Sequence, residues 1–265
     1  MEKEERSATL DPNLSRRLHR ALIVGKEELY RVLEEPSMEV LATALKNRAL
    51  DGNHLLVLLK RRDLSEELLK AVYRLDLLAD SHELKVALVR NPSTPGQIIA
   101  ALLPQLYLFE LATLCSLPGV TPDQKLAAER AIIQRLPVTP LGNKLTLARR
   151  GTPSVTEALL REGEPRLLEA CLDSPRLKEA ALFRFLTGAT ASAETVSMVA
   201  RHPRWKNRPN LRLVILKNPK TPAIWFTLHL PQLPLNDVKG LLLSNRLSSL
   251  QKSLVEEELK RRGIK

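Results

Sequence analysis

The feature that most constrains this chain is that it repeats itself at a fixed distance. Residues 84–106 read LKVALVRNPSTPGQIIAALLPQL, and residues 211–233 read LRLVILKNPKTPAIWFTLHLPQL. Both are a short apolar helix, an Asn-Pro-x-Thr-Pro turn, a second apolar helix and Pro-Gln-Leu. Sliding the chain on itself without a gap, so that position 84 falls on 211, pairs 9–135 with 136–262. The matches extend well beyond the motif, to Leu41/Leu168, Leu55/Leu182, Ser65/Ser192, Arg74/Arg201, Gln124/Gln251 and Glu129/Glu256. Leucine-rich composition alone yields scattered leucine pairs, not a recurring five-residue turn.

Composition says what the repeated unit is made of. Hydrophobic residues make up 44% of the 265 and aromatics only 3%, so the core is Leu, Ala, Val and Ile, which suits packed helices. Eighteen prolines are too many for a few long helices and mark the ends of many short ones. Turn signals recur at roughly 25-residue intervals, the spacing of stacked helical pairs. The expectation is an all-α fold: a right-handed α-solenoid of about sixteen short helices, built from two tandem copies of one unit. The divisions are a flexible N-terminus over 1–8, copy one over 9–135 and a basic copy two over 136–262, in one continuous solenoid.

The pattern L-x-x-A/V-L-x-R/K-N-P-x-T-P, clearest at 84–95 and 211–222, resembles the leucine-rich repeat variant family, a relative of HEAT and armadillo solenoids. The resemblance implies a helical-repeat fold and a binding role by analogy. One well-known member of that family carries a cysteine-rich iron–sulfur segment. Cys115 and Cys171 are two isolated thiols in apolar contexts and cannot form one, so no cofactor is expected.

Catalytic motifs are missing. The five histidines (His19, His54, His82, His202, His229) show no metal-ligand spacing, and there is no phosphate loop, dinucleotide fingerprint or nucleophile elbow. No catalytic or metal-binding residue is assigned, and a non-enzymatic protein is expected. The charged N-terminus lacks a signal-peptide core and no apolar run reaches ~18 residues, so no membrane span and a cytoplasmic location are expected. Glu256, Glu257 and Glu258 beside Lys260, Arg261 and Arg262 read as a solvated helix face with i,i+4 pairs.

The two copies differ in charge. Copy one balances 17 basic against 16 acidic residues, whereas copy two carries 21 against 11. No acid occurs from Thr195 to Asn236, where Arg201, Arg204, Lys206, Arg208, Arg212, Lys217 and Lys220 lie with Trp205. Asp76, Asp80 and Glu83 occupy the paired positions of copy one, so the fold does not itself require the basic slot. These eight residues are the candidate anionic-partner site, with the five cations from Arg201 to Arg212 at its centre. Trp205, in the loop-like HPRWKNRPN, is taken as the exposed aromatic, and Ile224 and Trp225 as core. Cations at the last helical position, such as Arg90, Arg150, Arg201 and Lys217, also follow from the helix dipole alone.

Three partner classes fit the patch. One is a protein with an acidic or phosphorylated surface. The second is nucleic acid, with a DNA-glycosylase-like enzyme as its catalytic version. The third is self-association, in which the acidic slot of copy one docks on the basic slot of copy two.

Overall fold

The helices are too short to stand alone, and how they are held explains the architecture. The computed structural model describes residues 11–264, and the expected flexible 1–8 lies outside them. Among the described residues every regular element is helical. The chain divides into two units between Ala131 and Ile132, within one helix rather than at the copy boundary of 135/136.

Unit 1 contains α1 (Pro12–Ile23), α2 (Lys26–Val32), α3 (Met38–Ala44), α4 (Gly52–Leu58) and α5 (Glu66–Tyr73). It continues with α6 (Asp76–Asp80), α7 (His82–Arg90), α8 (Gly96–Leu102), α9 (Leu108–Ser116) and the start of α10 (Pro122–Arg135). Unit 2 contains α11 (Leu141–Arg150), α12 (Pro153–Leu160), α13 (Pro165–Leu172), α14 (Glu179–Thr187) and α15 (Ala193–Arg201). After it come α16 (Pro209–Lys217), α17 (Ala223–His229), α18 (Leu235–Leu242) and α19 (Ser249–Arg261). These nineteen α-helices of the described residues exceed the expected sixteen, partly because Gly25 caps a break between α1 and α2 and α6 forms a separate short turn.

Helix starts recur at the sequence offset. Met38 and Pro165, Gly52 and Glu179, Glu66 and Ala193, His82 and Pro209, Gly96 and Ala223 are each paired by that offset, and each opens a helix. The exception is α6, whose counterpart residues 203–207 form a turn. There Pro209 disfavours helix at the residue before it, and Pro203 takes the place of Asp76.

Each unit is assembled from two rows of helices. In unit 2, α11, α13 and α15 pack in succession, and α12, α14, α16 and α18 form the other row. Unit 1 repeats this with α1, α3 and α5 against α2, α4 and α7. Most of these helices span seven to ten residues, below the ~12–15 that hold in water unaided, so packing must stabilise them. Their ends also expose carbonyls that no intrahelical donor reaches.

Side chains from one helix pair later satisfy those carbonyls. Asn91, 2% exposed at the end of α7, donates Nδ2 to Leu59 O (3.0 Å) and Arg61 O (2.6 Å) past the end of α4. Its Oδ1 accepts from Ser93 N, while Thr94 Oγ1 donates back to Leu88 O. Asn218 repeats this at the end of α16, with Nδ2 donating to Leu186 O at 2.6 Å and Oδ1 accepting from Lys220 N. The Asn-Pro-x-Thr-Pro motif is therefore a clamp on the preceding layer as well as a helix stop. Asn47 does the same for Ala21 O and Val24 O. Gln124 reaches Val89 O and Asn91 O, and Gln251 reaches Pro219 O and Thr221 O. Where Ser174 stands in the place of Asn47, Arg176 takes over, donating to Arg150 O and Gly151 O.

The last layer closes differently from the expected solvated face. Glu258 is only 7% exposed and holds Arg262 Nε at 2.7 Å and Arg261 Nη2 at 2.8 Å. Arg262 in turn donates to Leu233 O and Leu230 O. The i,i+4 pair is present, but it caps the core formed by Leu216, Phe226, Leu241, Val255 and Leu259.

Ile224 and Trp225, expected as core, take other places. Ile224 is 57% exposed, and Trp225 is half-buried against that core with Nε1 donating to Ser197 Oγ at 2.9 Å. Ile224 sits where unit 1 has the exposed Gln97, on the side of α17 turned from the core.

Two stability predictions follow from this packing. Asn91→Ala orphans two inward-facing carbonyls and should cost ~2–4 kcal/mol in urea unfolding, whereas Gln97→Ala should stay within ~0.5 kcal/mol. The second concerns His229, which is 6% exposed, stacks on Trp225 with centroids 5.5 Å apart, and has no hydrogen-bond partner on either ring nitrogen among the described residues. Burial, reinforced by the Arg212 charge, holds its pKa below the usual 6.5. The unfolded chain then binds the proton first, so stability is full above pH 6.5 and falls as pH drops below it, by at most ~1.4 kcal/mol per pH unit. Leu102 fills the equivalent place in unit 1, and His229→Leu should flatten this acid limb when unfolding is titrated from about pH 7.5 to about pH 5.5.

Candidate anion-binding surface in unit 2

The eight candidate residues fall into two groups at opposite ends of one helix. Arg201 closes α15, and Arg204, Trp205, Lys206 and Arg208 lie in the turn over 202–208 that leads into α16, with Arg212 early in α16. Lys217 is the last residue of α16, and Lys220 follows in the next turn. At 1.5 Å rise per residue Lys217 lies ~12 Å along α16 from Pro209 at the turn and ~7.5 Å from Arg212.

The first group is largely committed to the fold. Trp205, expected to be exposed, is only 3% exposed, and its Nε1 donates to Leu172 O at 3.1 Å. It fills the place of Leu78, which is 2% exposed in α6 of unit 1, so the turn swaps a small helix for one large indole. Arg204 lies over that indole, 4.4 Å from its centroid, and donates to Ser174 O at 2.6 Å and Leu177 O at 3.2 Å. Arg212 folds back onto Lys206 O at 3.1 Å.

The acid-free window of the sequence also acquires acids in space. Glu179 comes within 3.9 Å of Arg208, and Asp173 within 3.1 Å of His202. Arg201 and Lys206 remain exposed, with no side-chain partner among the described residues.

The second group lines a groove. Lys217, Lys220 and Arg246 line an open volume of about 700 Å³ together with Gly188, Ala189, Val214, Gly240 and Leu243. No acidic residue lines it. Lys220 Nζ donates to Ala189 O at 3.0 Å. Lys217 and Arg246 have no ion pair among the described residues. Arg246 was not a candidate because Asp237 interrupts the acid-free run before it, and its paired residue in copy one is a glycine.

Unit 1 has a groove at the same place, of about 590 Å³, lined by Leu59, Lys60, Arg62, Arg90, Asn91, Pro92 and Gly119, each of which the copy offset pairs with a lining residue of the first groove. Its electrostatics are different. Glu83 and Glu110 line it, and His82 Nε2 lies 2.9 Å from both Glu110 oxygens. Arg62 packs on Gly119, whose φ of +83° is a backbone conformation that favours glycine. In unit 2 the pair becomes Ala189 and Arg246, so the cation moves to the other member of the pair.

Other chemistry is not evident. Among the described residues no group of three His, Cys, Asp or Glu could hold a metal ion. Burial, aided by Glu129, pushes the Cys115 thiol up to about 11, and burial, aided by Glu162, pushes Cys171 up to about 12, so neither offers a thiolate nucleophile. No helix among the described residues is long and apolar enough to cross a membrane. No protein-family model, curated protein or solved structure matches the chain.

The placement of Arg204 yields a stability contrast within the one turn. Arg204→Glu should cost ~1.5–3 kcal/mol in thermal or urea unfolding, because it removes donors from the carbonyls after α13. Lys206→Glu, two residues on and with no side-chain partner among the described residues, should change stability by less than ~0.5 kcal/mol. Equal effects would mean that the turn is a solvated basic loop.

Proposed function

We propose that this chain is a non-enzymatic helical-repeat scaffold that binds an acidic or phosphorylated protein partner through its basic second unit. In this reading the units are tandem copies of one right-handed α-solenoid unit, akin to the leucine-rich repeat variant and HEAT-like repeats. The helix starts that recur at the copy offset and the paired Asn91 and Asn218 clamps support the duplication. Repeat scaffolds bind through surfaces their cores do not constrain, so equivalent positions are free to diverge.

One observation carries the binding role. Three cations line each groove, Lys60, Arg62 and Arg90 in unit 1 and Lys217, Lys220 and Arg246 in unit 2, but Glu83 and Glu110 line the first and no acid lines the second. Packing is met in both, so it does not select the charges. Isolated surface cations contribute little, whereas several lining one groove act together on an anion. A short groove suits an anionic side chain on a peptide better than the extended phosphate track of a duplex, and the low aromatic content gives no stacking platform for single strands.

The test is fluorescence anisotropy on the full chain with two probes, a labelled acidic peptide pool containing phosphoserine and glutamate, and a mixed-sequence DNA duplex. The peptide pool should bind with a shallow salt dependence, and Lys217→Glu/Lys220→Glu/Arg246→Glu should weaken it at least ~10-fold with an unchanged unfolding curve. Tight duplex binding that falls by nearly one log unit per phosphate neutralised, with no peptide binding, would assign the surface to nucleic acid instead.

A further inference from the structure

The unit 2 groove carries more than positive charge. It also departs from its unit 1 counterpart in where its cations stand and in one exposed apolar side chain.

The lining cations are redistributed. Ser93 and Gly119 of unit 1 correspond to Lys220 and Arg246, while Lys60 and Arg62 give way to Thr187 and Ala189, so each groove keeps three cations at partly different positions. A Cβ on Gly240 would meet nothing within 4 Å, so the unit 2 groove is open there.

The groove is also lined by Leu243, which is 85% exposed and stands where unit 1 has Ser116. An isolated exposed leucine is ordinary. This one lines a cationic groove, which neither the core nor solubility explains.

We infer that this groove takes a phosphorylated serine or threonine side chain of an extended peptide, with an apolar neighbouring residue resting on Leu243. This rests on the proposed binding of an anionic protein partner and specifies its chemistry. A phosphate monoester carries a charge of about −1.5 to −2 at neutral pH and three acceptor oxygens, matching several cations along one groove. A glutamate brings one charge and leaves two of the three cations uncompensated. Lys217 and Lys220 offer point charges that adapt to a tetrahedral group, and Arg246 offers a fork that bridges two oxygens.

The experiment uses the full chain and three labelled degenerate peptide pools that share flanking composition and differ only at a central residue: phosphoserine, glutamate or serine. The phosphoserine pool should bind at least tenfold tighter than the glutamate pool, and inorganic phosphate should compete with it. Lys217→Gln/Lys220→Gln should abolish that preference, while Arg201→Gln/Lys206→Gln at the other end of α16 should not. Recovered phosphoserine peptides should be enriched in Leu, Ile, Val or Phe beside the phosphoserine, and Leu243→Ser should erase the enrichment. Equal binding of the phosphoserine and glutamate pools overturns the phosphate assignment and leaves the acidic-partner reading standing. Failure of both pools to bind overturns that reading as well. A phosphate preference without apolar enrichment overturns the role given to Leu243.

Discussion

The structure depends on side chains reaching back about thirty residues to the carbonyls at the end of an earlier helix. Asn47, Asn91, Gln124, Asn218 and Gln251 do this with amide nitrogens, Arg61, Arg176, Arg204 and Arg262 with guanidinium groups, and Trp205 with its indole. A helix of seven to nine residues leaves nearly half of its carbonyls without an intrahelical donor. Packing buries those ends between layers, where an unpaired carbonyl costs ~1–3 kcal/mol. The donor from the next layer removes that cost and fixes the spacing of the layers at the same time. Short helices, frequent prolines and polar residues buried at turns are therefore one solution, not three features.

The same requirement explains why the basic turn of unit 2 is less available than its charge suggests. Where the α6 helix of unit 1 is replaced by a turn, Trp205 fills the space left by Leu78 and Arg204 satisfies the carbonyls of the layer before. A cation that caps buried carbonyls is part of the scaffold. Those that remain for a ligand cap nothing, or, like Lys220, reach only an exposed carbonyl in the groove. The grooves of the two units show this freedom, since one sets three cations beside Glu83 and a His82–Glu110 pair and the other holds three cations without an acid.

Pairing residues across the offset bears on burial more than on the groove, of whose cations only Lys217 and Lys220 were candidates from sequence. Pairing Trp205 with Leu78 points to a buried indole, and pairing Ile224 with Gln97 points to an exposed isoleucine. The composition of HPRWKNRPN suggested the opposite for Trp205, because a polar loop is ordinarily solvated. Arg246 carried no such signal. It follows an acid in sequence, and only the return of the turn after α18 to the end of α16 places it beside Lys217.

By itself the sequence determined the helical class, the recurrence at a fixed offset, the turns that stop each helix and the charge contrast between the two halves. These are local or periodic properties, and local chemistry such as Asn-Pro after an apolar run acts within a few residues. The tertiary structure alone decided which cations face a common groove and which are spent on carbonyls. That choice depends on contacts between residues about thirty positions apart, where a side chain in one layer meets the end of another. Charge along a chain counts the cations, but only packing decides which of them remain for a partner.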